Sequence, residues 1–422
     1  DRYDSITIPD YLESRFRDGA QLIRKIAAAA LVIFVTIYVS AQIDATGTAF
    51  ESFLGWDYYV GALVGFTVVL VYIVTGGFLA VAWSDVVQGS LMFVGLVLLP
   101  IVGMNAAGGW DAVTTGLVDI DPNLMSWSGT GEWTAAAIMS AIGMAMIGAG
   151  FLGSPQIFVR FLAIRDTGEI PKGTRVAIIW TVFADGGAVL SGMIGRHLLC
   201  GPGADLGEVL GNGGQDVLPL LVSHLFPVLV VGIYVAIVLS AIMSTVDSLL
   251  VMAASAVVRD WYQQVRHPEL PDAALTGLSR KVTVALAVVA LLIALTVASL
   301  MPGRTVFWFV IFGWSGIAAT FCPTMIMSLY WKGLTIAGVI ASMVTGFVCV
   351  PLFKFVVFPI EGLGTWLSPL SELPPAFLLS ILAGVLVSHL DARRASEQAK
   401  TLADQAQADL EWAARDDTTS AT

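Results

Sequence analysis

Charge is what this sequence has least of. Of its 422 residues, 13% are Asp, Glu, Lys or Arg, about half the share in an ordinary soluble domain. Hydrophobic residues make up 57%, so a water-soluble exterior is excluded. Cysteine is scarce too. Cys200, Cys322 and Cys349 are too few and too scattered for a disulfide framework or a thiolate cluster. The four histidines offer no pair on one helix face, which argues against a zinc site. Basic residues number 21 against 32 acidic ones, a net charge of -11. Nucleic acid is therefore not an expected partner. The Asp-rich, Lys-poor balance is a compositional hint of life in high salt.

What remains is a series of long apolar runs, each near the roughly 20 residues that cross a lipid bilayer as a helix. Ten spans are read, near 22–44, 57–77, 81–106, 133–163, 173–199, 227–258, 280–301, 304–331, 333–358 and 373–391. Lys and Arg orient them. With residue 1 inside, 18 of the 21 bases fall in inner segments, and only Arg196, Arg304 and Lys354 lie outside. Both ends are thus expected in the cytoplasm, with the chain multi-pass in the cell membrane. One transmembrane domain covers 1–391. The tail 392–422 reads as a short solvated helix that frays at its end.

Polar groups inside spans point to function, because each must face protein, water or an ion. Four acids qualify: Asp44, Asp85, Asp185 and Asp247. Asp44 reads as a helix-end residue that pairs with a neighbour. Asp185 lies mid-span without a base close in sequence. Asp85 lies within "TGGFLAVAWSDVVQGS", residues 75–90, where the glycine pair is expected to make a tight inner turn and the helix dipole alone would favour an acid.

Asp247 keeps oxygen-rich company. At 3.6 residues per turn, Ala241, Ser244 and Ser248 share a stripe, with Thr245 about 100° to one side of Ser244 and Asp247 about 60° to the other. A hard cation such as Na⁺ takes several oxygen ligands, and hydroxyls, carbonyls and a carboxylate supply them. The alternative has these hydroxyls bonding back to the helix and packing against another one. It accounts for the hydroxyls and poorly for a carboxylate. In "GAGFLGSPQIFVRF", residues 148–161, three glycines and a proline interrupt a span. Such a break builds a solute site near the midplane of secondary transporters, or is a proline kink.

These stretches, together with "TIPDYLESRF", "GSPQIFVRFLAIRD", "AIMSTVDSLL" and "SAVVRDWY", resemble the sodium/solute symporter family, and its sodium/proline branch most. The resemblance implies an all-α membrane protein with a LeuT-like inverted-repeat core of ten helices among thirteen. In the family "TIPDYLESRF" follows three helices, so the ten spans here are expected to lack the first core helix. That helix completes the main sodium site, so the chain as it stands is expected not to transport alone.

Carried over from the family, the main Na⁺ site falls on the hydroxyls of Ser244 and Thr245 and the carbonyl of Ala241. Asp85 matches an acid implicated in sodium binding and release. A second ion in some members matches Ser244, Asp247 and Ser248, with Asp247 standing where a hydroxyl is usual. The solute region matches Phe151, Ser154, Pro155 and Gln156. Where the proline branch has Trp and Tyr, this chain has Ile147 and Phe151, which removes an indole and a phenolic hydroxyl. The expected activity is Na⁺-coupled import of a small organic solute, with proline or another amino acid the best reading. The rivals are a proton-coupled carrier using Asp247 or Asp185 and the membrane sensor of a signalling protein. No side-chain constellation offers a nucleophile with its base, so an enzyme is not expected.

Overall fold

The computed structural model describes residues 5, 7–162, 164 and 166–391, apart from the side chains of 72, 75–80, 162 and 272. The expected tail, 392–422, lies outside the described residues. Every regular element among them is helical. A short α1 (Ile8–Phe16) leads to α2 (Leu22–Leu54), α3 (Tyr58–Ala106) and α4 (Trp110–Ile120). Next come α5 (Ala135–Ala149) and α6 (Pro155–Leu162), then α7 (Ile170–Leu199), α8 (Leu206–Leu210) and α9 (Val217–Leu225). Helix α10 (Val228–Ser255) passes into a π-helical stretch, Ala256–Arg266. The rest are α11 (Thr276–Leu300), α12 (Val306–Tyr330), α13 (Ile336–Leu352), α14 (Leu363–Leu367) and α15 (Leu373–Leu390).

Local chemistry sets the ends. Thr7 caps α1 by accepting the Asp10 amide at 3.2 Å, and Asp57 caps α3 through the amides of Tyr59 and Val60 at 2.9 and 3.2 Å. Nine helical stretches among the described residues are long and apolar enough to cross a membrane, and Tyr58–Val71 is a shorter apolar one. The protein is a multi-pass membrane protein.

Helix α3 is one helical run by its backbone, but it does not run straight. A Cβ on Gly65 would overlap Thr46, and Gly65 and Phe66 line a cavity with Ile242. Met92 and Gly95 line another with Ala45, Ala49 and the same Ile242. Residues 65 and 92 would be about 40 Å apart in a straight helix, so the run folds back in the interval that holds Gly76–Gly77, as expected.

The chain divides into two compact units. Among the described residues, the first comprises those up to 30, 142–162 and 315–391. In it α13 packs along α15 and against α12 through small residues. A Cβ on Gly338 would meet Ser388 and the Gly384 carbonyl of α15, and one on Gly346 would meet the Ala319 carbonyl of α12. Buried hydroxyls lace this seam: Thr324 donates to Ser342 at 2.9 Å, and Ser342 and Ser380 share a bond of 2.9 Å. Near the chain start, Arg24 binds Asp10 at 2.5 Å and Glu13 at 3.2 Å. The Tyr11 hydroxyl meets Ser328 at 3.3 Å.

The second unit comprises residues 31–141 and 163–314. Helix α3 lies against α7 and α10. Gly187 lets α7 approach the Leu96 carbonyl so closely that a Cβ would overlap it. Leu99, Ile194, Leu221, Val222 and Tyr234 form the buried cluster beside that crossing.

Candidate functional site

The ion candidates all belong to the second unit. On α10 the hydroxyls of Ser244 and Thr245 both donate to one oxygen, the Ala241 carbonyl, at 3.0 and 3.1 Å. Three oxygens anticipated as ligands therefore converge within one turn. Their present bonds are the back-bonding arrangement that the sequence left open as an alternative. Asp247 is fully buried, and Ser248 donates to its Oδ1 at 3.2 Å. Ser244, Thr245 and Ser248 are half-buried.

Asp85 is half-buried on α3. Gly95 of that helix lies against Tyr234 and Ile237, and the Tyr234 hydroxyl donates to the Gly95 carbonyl at 3.0 Å. Met92 faces the same cavity of about 300 Å³ as Ala241. Helices α3 and α10 therefore run antiparallel here. Asp85 precedes Met92 by the seven residues that separate Ala241 from Ser248, and each step is about 10 Å along its helix. Asp85, Asp247 and Ser248 thus share one level of the unit.

Two acids go elsewhere. Asp185 is exposed on α7. Asp44 is fully buried; its Oδ1 accepts from Tyr58 at 2.7 Å and from Arg304 Nε and Nη2 at 2.9 and 2.5 Å. The pairing expected of Asp44 is present, and the structure supplies its partners. The Arg304 guanidinium also lies over the Tyr58 ring, 5.1 Å from its centroid. Burial works against the charge of Arg304, but the hydrogen bonds and attraction of Asp44 outweigh it and hold the pKa above its ordinary value.

The solute candidates belong to the first unit. Helix α5 gives way to a 3₁₀ turn at Gly150–Leu152, and α6 begins at Pro155. The break anticipated from Gly and Pro is present. Phe151 is 58% exposed, whereas Ser154 is 1% exposed and Pro155 is buried. Gln156 is half-buried. Neither Ser154 Oγ nor Gln156 Oε1 has a hydrogen-bond partner. Two buried polar atoms without partners beside a helix break are acceptors and donors held ready for something polar.

Sequence reasoning missed Cys322. Its thiol, fully buried, donates to the Gly150 carbonyl at 3.0 Å. No spacing signal marks that pairing, because the partners lie 172 residues apart.

A family model for the sodium:solute symporter family matches residues 1–346. The chain belongs to the sodium:solute symporter family. Within curated proteins it is 33% identical over 392 residues to the osmoregulated proline transporter OpuE of Bacillus subtilis (strain 168), covering 93% of this chain and 75% of that one. The high-affinity proline transporter PutP of the same strain is 33% identical over 388 residues, covering 92% and 77%. A sodium/proline symporter of Staphylococcus aureus is 30% identical over 391 residues, covering 92% and 73%. A solved structure of a Na⁺-coupled sialic acid symporter, in a substrate-bound outward-open state, superposes with a TM-score of 0.66. It covers 91% of this chain and 77% of that one at 19% identity, a likeness of fold. The architecture of this symporter-family chain is LeuT-like, and its relatives are transporters rather than enzymes.

Proposed function

We propose that this protein imports a small organic solute together with Na⁺ by alternating access, and that the solute is proline or another amino acid. The observation that carries the reading is the convergence of the Ser244 and Thr245 hydroxyls on the Ala241 carbonyl. Turned from that carbonyl toward an ion, the same hydroxyls offer two oxygens and release a third. Asp85 and Asp247 place two carboxylates at a neighbouring level, where a second cation would be held. The proline transporters among the relatives support an amino acid as solute. Ile147 and Phe151 shift the pocket toward an apolar lining, so a bulkier or less polar amino acid than proline fits the break as well.

Sodium raises solute affinity in this scheme, and solute raises sodium affinity by the same factor. Each Na⁺ entering gains about 2.3 kcal/mol per 100 mV crossed. Both chain ends face the cytoplasm. That orientation requires Tyr58–Val71 and Val81–Ala106 to cross the bilayer as two spans. A second reading places a proton at Asp247, and it rests on the full burial of that carboxyl beside one hydroxyl.

The deciding experiment, with the first core helix of the family present, is uptake into proteoliposomes driven by a Na⁺ gradient traced with ²²Na⁺ or by a pH gradient, across proline, other amino acids and small carboxylates. Sodium-dependent uptake that survives Ser244→Ala with Thr245→Ala would refute the ion site. Uptake driven by a pH gradient without Na⁺ would favour the proton reading.

A further inference from the structure

The broken helix leaves backbone groups open where α5 stops and α6 has not begun, and in a membrane protein those groups need partners. Cys322 of α12 meets the gap from one side, where its S–H donates to the Gly150 carbonyl at 3.0 Å. The side chain supplies a donor to a carbonyl at the break. Shape agrees with this. A Cβ on Gly153 would lie 2.9 Å from the Cys322 Cα and 2.8 Å from the Met325 Cβ, so glycine is what lets the gap sit on α12 at this point. Beyond the clasp, Ser154 Oγ and Gln156 Oε1 are left without partners.

The geometry points to Cys322 as a positioning residue for solute recognition. The thiol sets the conformation of residues 150–156 and thereby presents Ser154 and Gln156 to the solute. The thiol does not touch the solute, and it closes no covalent bond. This rests on the proposed reading of the break as the solute pocket. One consequence concerns chemistry at the gap. The Gly150 carbonyl is occupied by the thiol, so a polar group of the solute is recognised by Ser154 and Gln156 and not by that carbonyl.

The test compares Cys322→Ala, Cys322→Val and Cys322→Ser in the reconstituted protein. Hydrogen–deuterium exchange of the peptide covering 147–157 reads the clasp without reference to transport. Exchange there rises about tenfold in the Ala and Val variants, the scale of a backbone carbonyl left without its partner. Ser, which still donates and accepts, restores most of the protection. With [³H]proline as probe, KM rises by a similar factor in Ala and Val while turnover stays within about twofold. Val fills the space of the thiol without a donor, so a Val protein that exchanges like the wild type would reduce the effect to packing and overturn the inference. A Ser protein that exchanges as fast as Ala would overturn it too. If the wild type takes up no proline or other amino acid, the functional reading fails while the exchange result still judges the clasp.

Discussion

Removing Arg304 offers a clean measure of what a buried charge costs this protein. Asp44 and Arg304 are joined by two bonds, with side chains 1% and 15% exposed. Breaking a buried pair from one side costs about 3–5 kcal/mol, because the abandoned charge stays desolvated. An exposed pair is worth about 0–1 kcal/mol. Here a polar cavity of about 490 Å³ reaches both residues, and Tyr58 keeps one bond to Asp44. Both moderate the loss, so Arg304→Ala is expected to cost about 3 kcal/mol, at the low end of the buried range. Asp44→Asn costs less, since the amide oxygen still accepts. The double variant Asp44→Asn, Arg304→Ala removes both charges and recovers part of the loss. The assay is denaturant unfolding of the four proteins in one detergent, read as a double-mutant cycle. A coupling of about 2 kcal/mol is expected. A coupling below about 0.5 kcal/mol would refute the claim that these charges depend on each other.

Four further outcomes are expected. Asp247→Ser leaves solute uptake but lowers the Hill slope for Na⁺ if a second cation binds there; an unchanged slope returns Asp247 to a structural role. Tyr234→Phe deletes the bond to the Gly95 carbonyl and destabilises by about 1–3 kcal/mol in thermal unfolding, the cost of a buried acceptor left alone. Gly346→Ala drives a methyl into the Ala319 carbonyl and lowers stability by about 1–3 kcal/mol, measured as folded yield and melting temperature. Phe151→Tyr restores the phenolic hydroxyl of the proline branch, and competition uptake is expected to shift preference toward proline.

Much of this architecture was legible in the apolar runs, because a bilayer forces nearly every backbone group into helices. The break at residues 150–155 was legible for the same reason, since glycine and proline have few other uses there. The reversal signalled by Gly76–Gly77 was legible too, and it brings residues 65–70 and 92–96 back to the same stretch of α2 and to Ile242. The stripe of Ala241, Ser244 and Ser248, flanked by Thr245 and Asp247, was readable from periodicity alone. Where their hydroxyls point was not, since the same spacing serves an ion or the Ala241 carbonyl. The pairing of Asp44 was expected, but its partner lies 260 residues away, beyond any local rule. Cys322 looked inert for the same reason.

The seam between α13 and α15 has a thermal consequence. Lipid tails are as apolar as leucine, so helices in a bilayer gain little from leaving one solvent for the other. Ser342 and Ser380 bond one another there, Thr324 of α12 bonds Ser342, and Gly338 lets the backbones of α13 and α15 come close together. Cohesion of this kind comes from dispersion and hydrogen bonding. It does not fade on cooling as water-driven burial does. The first unit is therefore expected to keep its packing in the cold, where loops held by hydrophobic contact with water loosen first.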